Sequence, residues 1–295
     1  MNPNRVCPFR VQLPALLVFA ALIYPVSAKA TETAIKETPI QQVIRQKARW
    51  DGEVKVDGIV IVAKGASLSI ARGTRVVFSV RDDDGDGIGD SELRVEGSLE
   101  VTGSKGDPVI FTSAAAQPEP ADWKYIMINH ADGARVSHAV IEYAFSGIQI
   151  HYTRGSFSGL VLRHNVDGFR FSTSPAILEN SLLTANVNGI RFEERGAGAT
   201  VRRNVVSGNK IGVFAVIKNR GMTVFEGNIF ENNLDYNVKM GMRQSRDIPM
   251  KRNWWGYLES AAIEDTFFDG RIEPEMGKVM FEPYLTERPH LAQTP

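Results

Sequence analysis

The chain is 295 residues long, with 34 basic and 34 acidic side chains, 43% apolar residues and 26 glycines. This balance is that of an ordinary globular protein and excludes a disordered or collagen-like chain. A formal charge of zero gives no overall attraction to nucleic acid or to an anionic membrane, and no nucleic-acid partner is expected.

Residues 1–30 read as an export signal. Arg5 and Arg10 make a basic start, Leu13 to Ile23 is apolar apart from Pro14, and Val26-Ser27-Ala28-Lys29-Ala30 offers small-residue cleavage sites. The apolar run is shorter than the ~20 residues needed to cross a bilayer, so the mature protein is expected in the periplasm or outside the cell and not spanning a membrane. Cleavage removes Arg5, Arg10 and Lys29 and no acid, which leaves 34 less 3, or 31, bases against 34 acids. Cys7, the single cysteine, leaves with it, so neither a disulfide nor a cysteine-ligated metal is expected. Residues 31–49 form an expected N-terminal cap, with a helix over Thr31 to Lys47 covering the open edge of the first strands.

Residues 50–253 carry short stretches of β-type residues. The first are Val54 to Val62, Ser67 to Ile70, Arg75 to Val80, Leu93 to Val101, Val109 to Thr112 and Lys124 to Ile128, parted by glycine turns such as Lys64-Gly65-Ala66 and Arg72-Gly73-Thr74. Two excursions interrupt them, at Asp82 to Asp90 and at Ala114 to Asp122. The first puts Asp82, Asp84, Asp86 and Asp90 at positions 1, 3, 5 and 9 of a loop, with Gly87 at position 6. Alternating aspartates wrap the hard-oxygen shell that calcium prefers, with the Ile88 carbonyl as a further ligand. Position 12 is Leu93 rather than the glutamate of an EF-hand, and Glu92 comes one residue early. Asp82, Asp84, Asp86, Ile88, Asp90 and Glu92 are the expected ligands of a structural calcium ion, which would pin a loop rather than take part in catalysis.

From about residue 130 the sequence repeats. Gly147-Ile148-Gln149-Ile150, Gly168-Phe169-Arg170-Phe171, Gly189-Ile190-Arg191-Phe192 and Gly212-Val213-Phe214-Ala215 succeed one another at 21, 21 and 23 residues. Asparagines recur in two further registers, Asn180, Asn204, Asn228 and Asn253, and Asn165, Asn186, Asn209 and Asn232. Period-2 alternation without an amphipathic helix predicts a chain coiling around a parallel-strand core, with rungs about 4.8 Å apart. Asparagines stacked at equivalent turns predict amide ladders along the axis, a structural rather than a functional role. At a period of 21 to 25 residues the coil has about nine rungs. Residues 254–295 lose the repeat and form an expected C-terminal cap and tail.

These rungs, with Pro108-Val109-Ile110-Phe111-Thr112-Ser113 and the ending Asn253-Trp254-Trp255-Gly256 followed by Phe281-Glu282-Pro283-Tyr284-Leu285, resemble the bacterial pectin-lyase-like repeat proteins. The resemblance implies an all-β fold, a single-stranded right-handed parallel β-helix with caps at both ends. It implies little about activity, because that fold carries lyases, hydrolases, epimerases, adhesins and inert surface proteins. Copper-handling periplasmic relatives of the fold also exist.

On such a fold Gln149, Arg170, Arg191, Phe214 and Lys239 should stack in one outward line, preceded by Met127. Cations and an aromatic ring at that spacing suit an acidic polysaccharide lying along the axis, by ion pairing and ring stacking. Arg202, Arg203, Lys251 and Arg252 make a second basic line, although interleaved glutamates make a solvated mixed-charge face the plainer reading of both. His130, His138, His151 and His164 lack metal-ligand spacing and read as turn or surface residues. Arg246-Asp247-Ile248-Pro249 is similar to the start of a pectate lyase R-x-P motif but one residue too long, and no catalytic pair is identified. The four tryptophans at rung starts and in the cap are expected to seal the core. The leading expectation is an exported, non-catalytic binder of cell-envelope or extracellular polysaccharide stiffened by calcium. The alternatives are a polysaccharide lyase or epimerase using Arg170 or Arg191 as base, and a structural or adhesive envelope component.

Overall fold

The computed structural model describes residues 41–291. The export signal, Cys7 and residues 31–40 of the expected cap lie outside the described residues. Three parallel sheets make up the coil. Sheet A has ten strands: Gln41–Ile44, Ile59–Val62, Glu92–Val95, Trp123–Asn129, Ala144–His151, Asp167–Ser172, Asn188–Glu193, Ile211–Ala215, Tyr236–Met240 and Phe267–Phe268. Sheets B and C have eight strands each, and the chain visits A, B and C in turn, which gives eight complete turns from Gln41 to Glu231. The architecture is a right-handed parallel β-helix.

The helix expected up to Lys47 is not formed in the described part. Gln41–Ile44 and Lys47–Trp50 are already strands of the first turn, paired with Ile59–Val62 and Ser67–Ala71. The alternation in Lys47-Ala48-Arg49-Trp50 turns Ala48 and Trp50 toward the core, and partner strands outweigh the helical tendency of the segment. At the other end the coil continues past Asn253, because Phe267–Phe268 pairs with Val238 and Lys239 and extends sheet A. The short helix Ser260–Glu264 and the pair Ile248–Pro249 with Val279–Met280 complete that end.

Two of the stretches read as single strands are two strands around a corner. Gly58 divides Val54–Val62, and Gly97 divides Leu93–Val101. A Cβ on Gly97 would sit 2.2 Å from the Ala66 carbonyl oxygen, so the preceding turn admits no side chain there. The repeating glycines have a similar cause. A Cβ on Gly147, Gly168, Gly189 or Gly212 would lie 2.6 to 2.8 Å from the carbonyl oxygen of the next turn.

The interior is filled by stacked apolar side chains. Phe78 lies on Trp123 at 3.9 Å, Phe171 on Phe192 at 5.0 Å, and Phe230 on Trp255 at 4.9 Å. Trp123 and Trp255 are fully buried and seal the core, whereas Trp254 is half-buried and donates from its ring nitrogen to Glu231 Oε2.

Corners are made by single residues in the left-handed region, and along the ladders each stands directly before a polar residue that bonds along the axis. Arg203 (φ 53°), Gly227 (φ 66°) and Arg252 (φ 57°) precede Asn204, Asn228 and Asn253. Each Asn Oδ1 accepts the backbone N–H of the preceding ladder residue, at 3.0 Å for Ser181 to Asn204 and for Asn204 to Asn228, and 2.9 Å for Asn228 to Asn253. A second ladder runs Asn165, Asn186, Asn209 and Asn233. The registers expected from spacing are therefore one residue early at two places. Asn180 (φ 50°) and Asn232 (φ 55°) are corner residues, and Ser181 and Asn233 are the ladder members.

Candidate functional site

The expected line of sheet A is in register, although its first member, Gln149, is buried. Met127 pairs with Gln149, and Gln149, Arg170, Arg191, Phe214 and Lys239 continue in unbroken register, with Arg94 before them and Phe268 after. Arg191 lies over the Phe214 ring at 5.5 Å and Lys239 over Phe268 at 5.5 Å, so cations and rings interlock along the line.

The register shift opening at Tyr125/Ile126 adds a second line that the repeat did not disclose. Tyr125, Ser146, Asp167 and Asn188 stack beside the first line, one residue before the glycine of each phrase after Tyr125. Such bulges re-aim side chains beside functional sites. Here the bulge sets Asp167, fully buried, against Arg170 at 3.7 Å and Arg191 at 3.5 Å, while Asn188 donates to Asp167 Oδ1 at 2.8 Å. The sequence signal was Asp three residues before Arg in Asp167-Gly168-Phe169-Arg170. His151 completes the group at the strand end, its Nε2 3.2 Å from Gln149 Nε2.

The electrostatics of this face are perturbed in four places. Burial pushes the Asp167 carboxyl up, against the opposing pull of Arg191 and the Asn188 hydrogen bond. Burial and the neighbouring Arg191 hold Arg170 below the usual arginine range. Burial, with Arg170 adding to it, lowers His151. Burial beside Glu92 pushes Tyr125 up to about 12. Ser146 Oγ, Gln149 Oε1, Asp167 Oδ2 and Arg191 Nε are buried with no hydrogen-bond partner among the described residues. Buried polar atoms are normally paired, so four orphans on one face make it the candidate site. A cavity of about 90 Å³ opens there between His151, Arg170, Ser172, Arg191 and Glu193.

The second basic line is partly paired: Arg202 and Arg203 share Glu179, Arg252 pairs with Glu226, and Lys251 forms no salt bridge among the described residues. The acidic loop brings together half of its expected ligands. Asp82, Asp84 and Asp86 each place one carboxylate oxygen within 4.8 Å of the others, all three side chains being exposed. Asp82 also accepts the N–H groups of Gly85 at 2.7 Å and Gly87 at 3.0 Å, which curls the loop. Asp90 is drawn elsewhere, accepting from Asp83 N–H and from Lys124. Glu92 belongs to sheet A, buried and paired with Arg94, because it starts the strand that lies on Ile59. The Ile88 N–H donates to Asp86 Oδ1 at 2.8 Å.

The histidines are mainly corner residues. His130, His138 and His164 have φ of 48°, 49° and 55°, and His130 and His164 stack on Tyr152 and Tyr143. Among the described residues, the Asp82, Asp84 and Asp86 group is the one place where three His, Cys or carboxylate ligands converge. No helix among them is long and apolar enough to cross a membrane.

Comparison with known proteins bears on both the coil and the site. Residues 95–256, more than half of the chain, match the family described as periplasmic copper-binding protein (NosD), and residues 42–145 match a pectate-lyase-like β-helix domain. A stretch of 120 residues, 38% of the chain, is 31% identical to protein bark beetle of Drosophila melanogaster, and it spans 4% of that protein's length. No solved structure matches.

Proposed function

The chain belongs to the periplasmic copper-binding protein (NosD) family, and from that premise we propose that it is an exported β-helix protein that binds acidic polysaccharide across sheet A. The observation that carries this reading is the pair Arg170 and Arg191, stacked in register over the single buried carboxylate of Asp167. Two guanidinium groups sharing one acid leave an excess of positive charge, and a planar fork is well matched to a carboxylate. Phe214 and Phe268 offer ring faces farther along the same line, and the orphaned polar atoms of Ser146 and Gln149 offer sites for sugar hydroxyls.

The one set of His, Cys or carboxylate ligands that converges among the described residues does not fit copper. Soft sulfur ligands and clustered imidazoles are what copper selects. The sole cysteine lies outside the described residues, His130, His138 and His164 occupy separate corners, His151 ends a sheet A strand, and the ligands that converge are the three exposed aspartates. Hard oxygens of that kind suit calcium, and we assign the Asp82–Asp86 loop to it as a structural ion. Asp82, Asp84 and Asp86 would hold it.

The test is retention of the mature protein on immobilised oligogalacturonate. Arg170→Ala with Arg191→Ala should abolish retention. Because that variant leaves Asp167 buried without a cation, the same pair is combined with Asp167→Asn to keep the fold intact. A folded triple variant retained as well as the parent would sink the proposal. A second reading, proton abstraction by a lyase or epimerase, draws on the lowered Arg170 and raised Asp167. Unsaturated ends or altered uronate stereochemistry after incubation would establish it.

A further inference from the structure

A second cavity lies where the chain leaves sheet A in three successive late turns. It has a volume of about 460 Å³ and is lined by Arg195, Lys218, Asn219, Arg220, Arg243 and Arg246, together with Gln244 and Ser245. None of its lining side chains is acidic. Arg195 pairs with Glu193 at 3.3 Å, whereas Lys218, Arg220, Arg243 and Arg246 form no salt bridge among the described residues. The acids close by are committed elsewhere. Glu194, fully buried, accepts the backbone N–H groups of Arg220 and Met222 and the Thr223 hydroxyl, and Asp247 accepts the Lys278 N–H.

Asn219 supplies the independent observation. It is 0% exposed, and neither its Nδ2 nor its Oδ1 has a hydrogen-bond partner among the described residues. Its backbone is held firmly, because Asn219 N–H donates to Gln244 Oε1 at 2.8 Å and Gln244 Nε2 donates to the Asn219 carbonyl at 3.0 Å. Every buried asparagine of the two ladders uses its amide to support the next turn, and this one does not. A rigidly placed amide without a partner, on the wall of a pocket bearing five cations, is a donor and acceptor kept for a ligand.

We propose that this pocket binds a small, multiply charged phosphate ligand. Like-charged side chains gathered in one cavity repel each other unless an anion joins them, and a single carboxylate brings too little charge to offset the four cations that have no acidic partner among the described residues. Four of the five are arginines, whose forks take phosphate oxygens two at a time. The pocket is separate from the sheet A line, and the proposal does not depend on polysaccharide binding there.

The experiment is calorimetric titration of the mature chain with inorganic pyrophosphate, with orthophosphate and galacturonate as controls. Pyrophosphate should bind most tightly, orthophosphate more weakly and galacturonate not at all, with affinity falling as salt is raised. Arg220→Ala with Arg243→Ala should weaken pyrophosphate by about tenfold or more and leave oligogalacturonate retention unchanged, so the two readings fail separately. Asn219→Leu should weaken binding without lowering the melting temperature; unchanged affinity in that variant would remove the amide from the site. Phosphatidylcholine vesicles containing phosphatidic acid distinguish the source of the phosphate. Sedimentation with them that pyrophosphate reverses would assign a lipid headgroup, and pyrophosphate binding without sedimentation a soluble phosphate compound. No pyrophosphate binding, or binding indifferent to Arg220 and Arg243, would overturn the proposal.

Discussion

Asn228 and Asn180 have the same side chain and opposite importance. Asn228 donates to the Val201 carbonyl and to Asn253 and accepts from Asn204 twice, all without access to water. Asn228→Ala strands several buried groups and should cost roughly 2–4 kcal/mol in chemical unfolding. Asn180 is an exposed left-handed corner, so Asn180→Ala should cost about 1 kcal/mol and Asn180→Gly less. Equal losses in the two alanine variants would contradict the assignment. The same contrast explains why spacing alone slips by one residue. In Glu179-Asn180-Ser181 and in Asn232-Asn233 the corner position also carries an asparagine, and only backbone φ tells the two roles apart. On sheet A, His151 and Asp167 should respond to pH in opposite senses. The lowered pKa of His151 makes its contribution to stability present above about pH 6.5 and lost as pH falls through its folded value. His151→Gln should therefore flatten the acid side of the melting-temperature profile below about pH 6.5. The raised pKa of Asp167 makes its contribution present below the ordinary carboxylate range and lost as pH rises through its folded value, so the stability of Asp167→Asn relative to the parent should improve as pH rises.

Strands are more legible in the sequence than loops, for a physical reason. Alternation with a fixed repeat determines which side chain meets which across a parallel pair, so the line from Gln149 to Lys239 could be placed from spacing alone. The line beside it could not, because one extra residue at Ser146-Gly147 shifts the register, and a shift of one has no signature in composition. Loop ligands are harder still. Asp90 and Glu92 fit a calcium pattern by position, yet Lys124 draws one away and the start of a sheet A strand claims the other. Three exposed carboxylates within 4.8 Å remain, and calcium should raise the melting temperature through them. Asp84→Ala should remove that rise while leaving the calcium-free stability within about 0.5 kcal/mol of the parent. A calcium response that survives the substitution would place the ion elsewhere.

At the scale of the molecule, stability is shared between neighbouring turns, so each end depends on whatever covers it. Phe267 packs on Trp255 at 5.0 Å and on Phe281 at 5.5 Å, and Leu285 N–H donates to the Asn253 carbonyl. A chain ended after Asn253 bares the edge of the last turn and the face of Phe230, and should form higher assemblies on size exclusion with light scattering. A monomer with the parental melting temperature would show that the terminal segment is dispensable. The corner-and-ladder pairing has a different consequence, for how such a chain can change length. Each ladder amide needs its counterpart one turn away, with the left-handed residue just before it. A residue added between the two would break both ladders that pass that turn, whereas loops between strands, like those at 82–90 and 114–122, swell without touching either. Growth or shrinkage of the coil is thereby quantised: whole turns can be duplicated or lost, and fractions of a turn cannot.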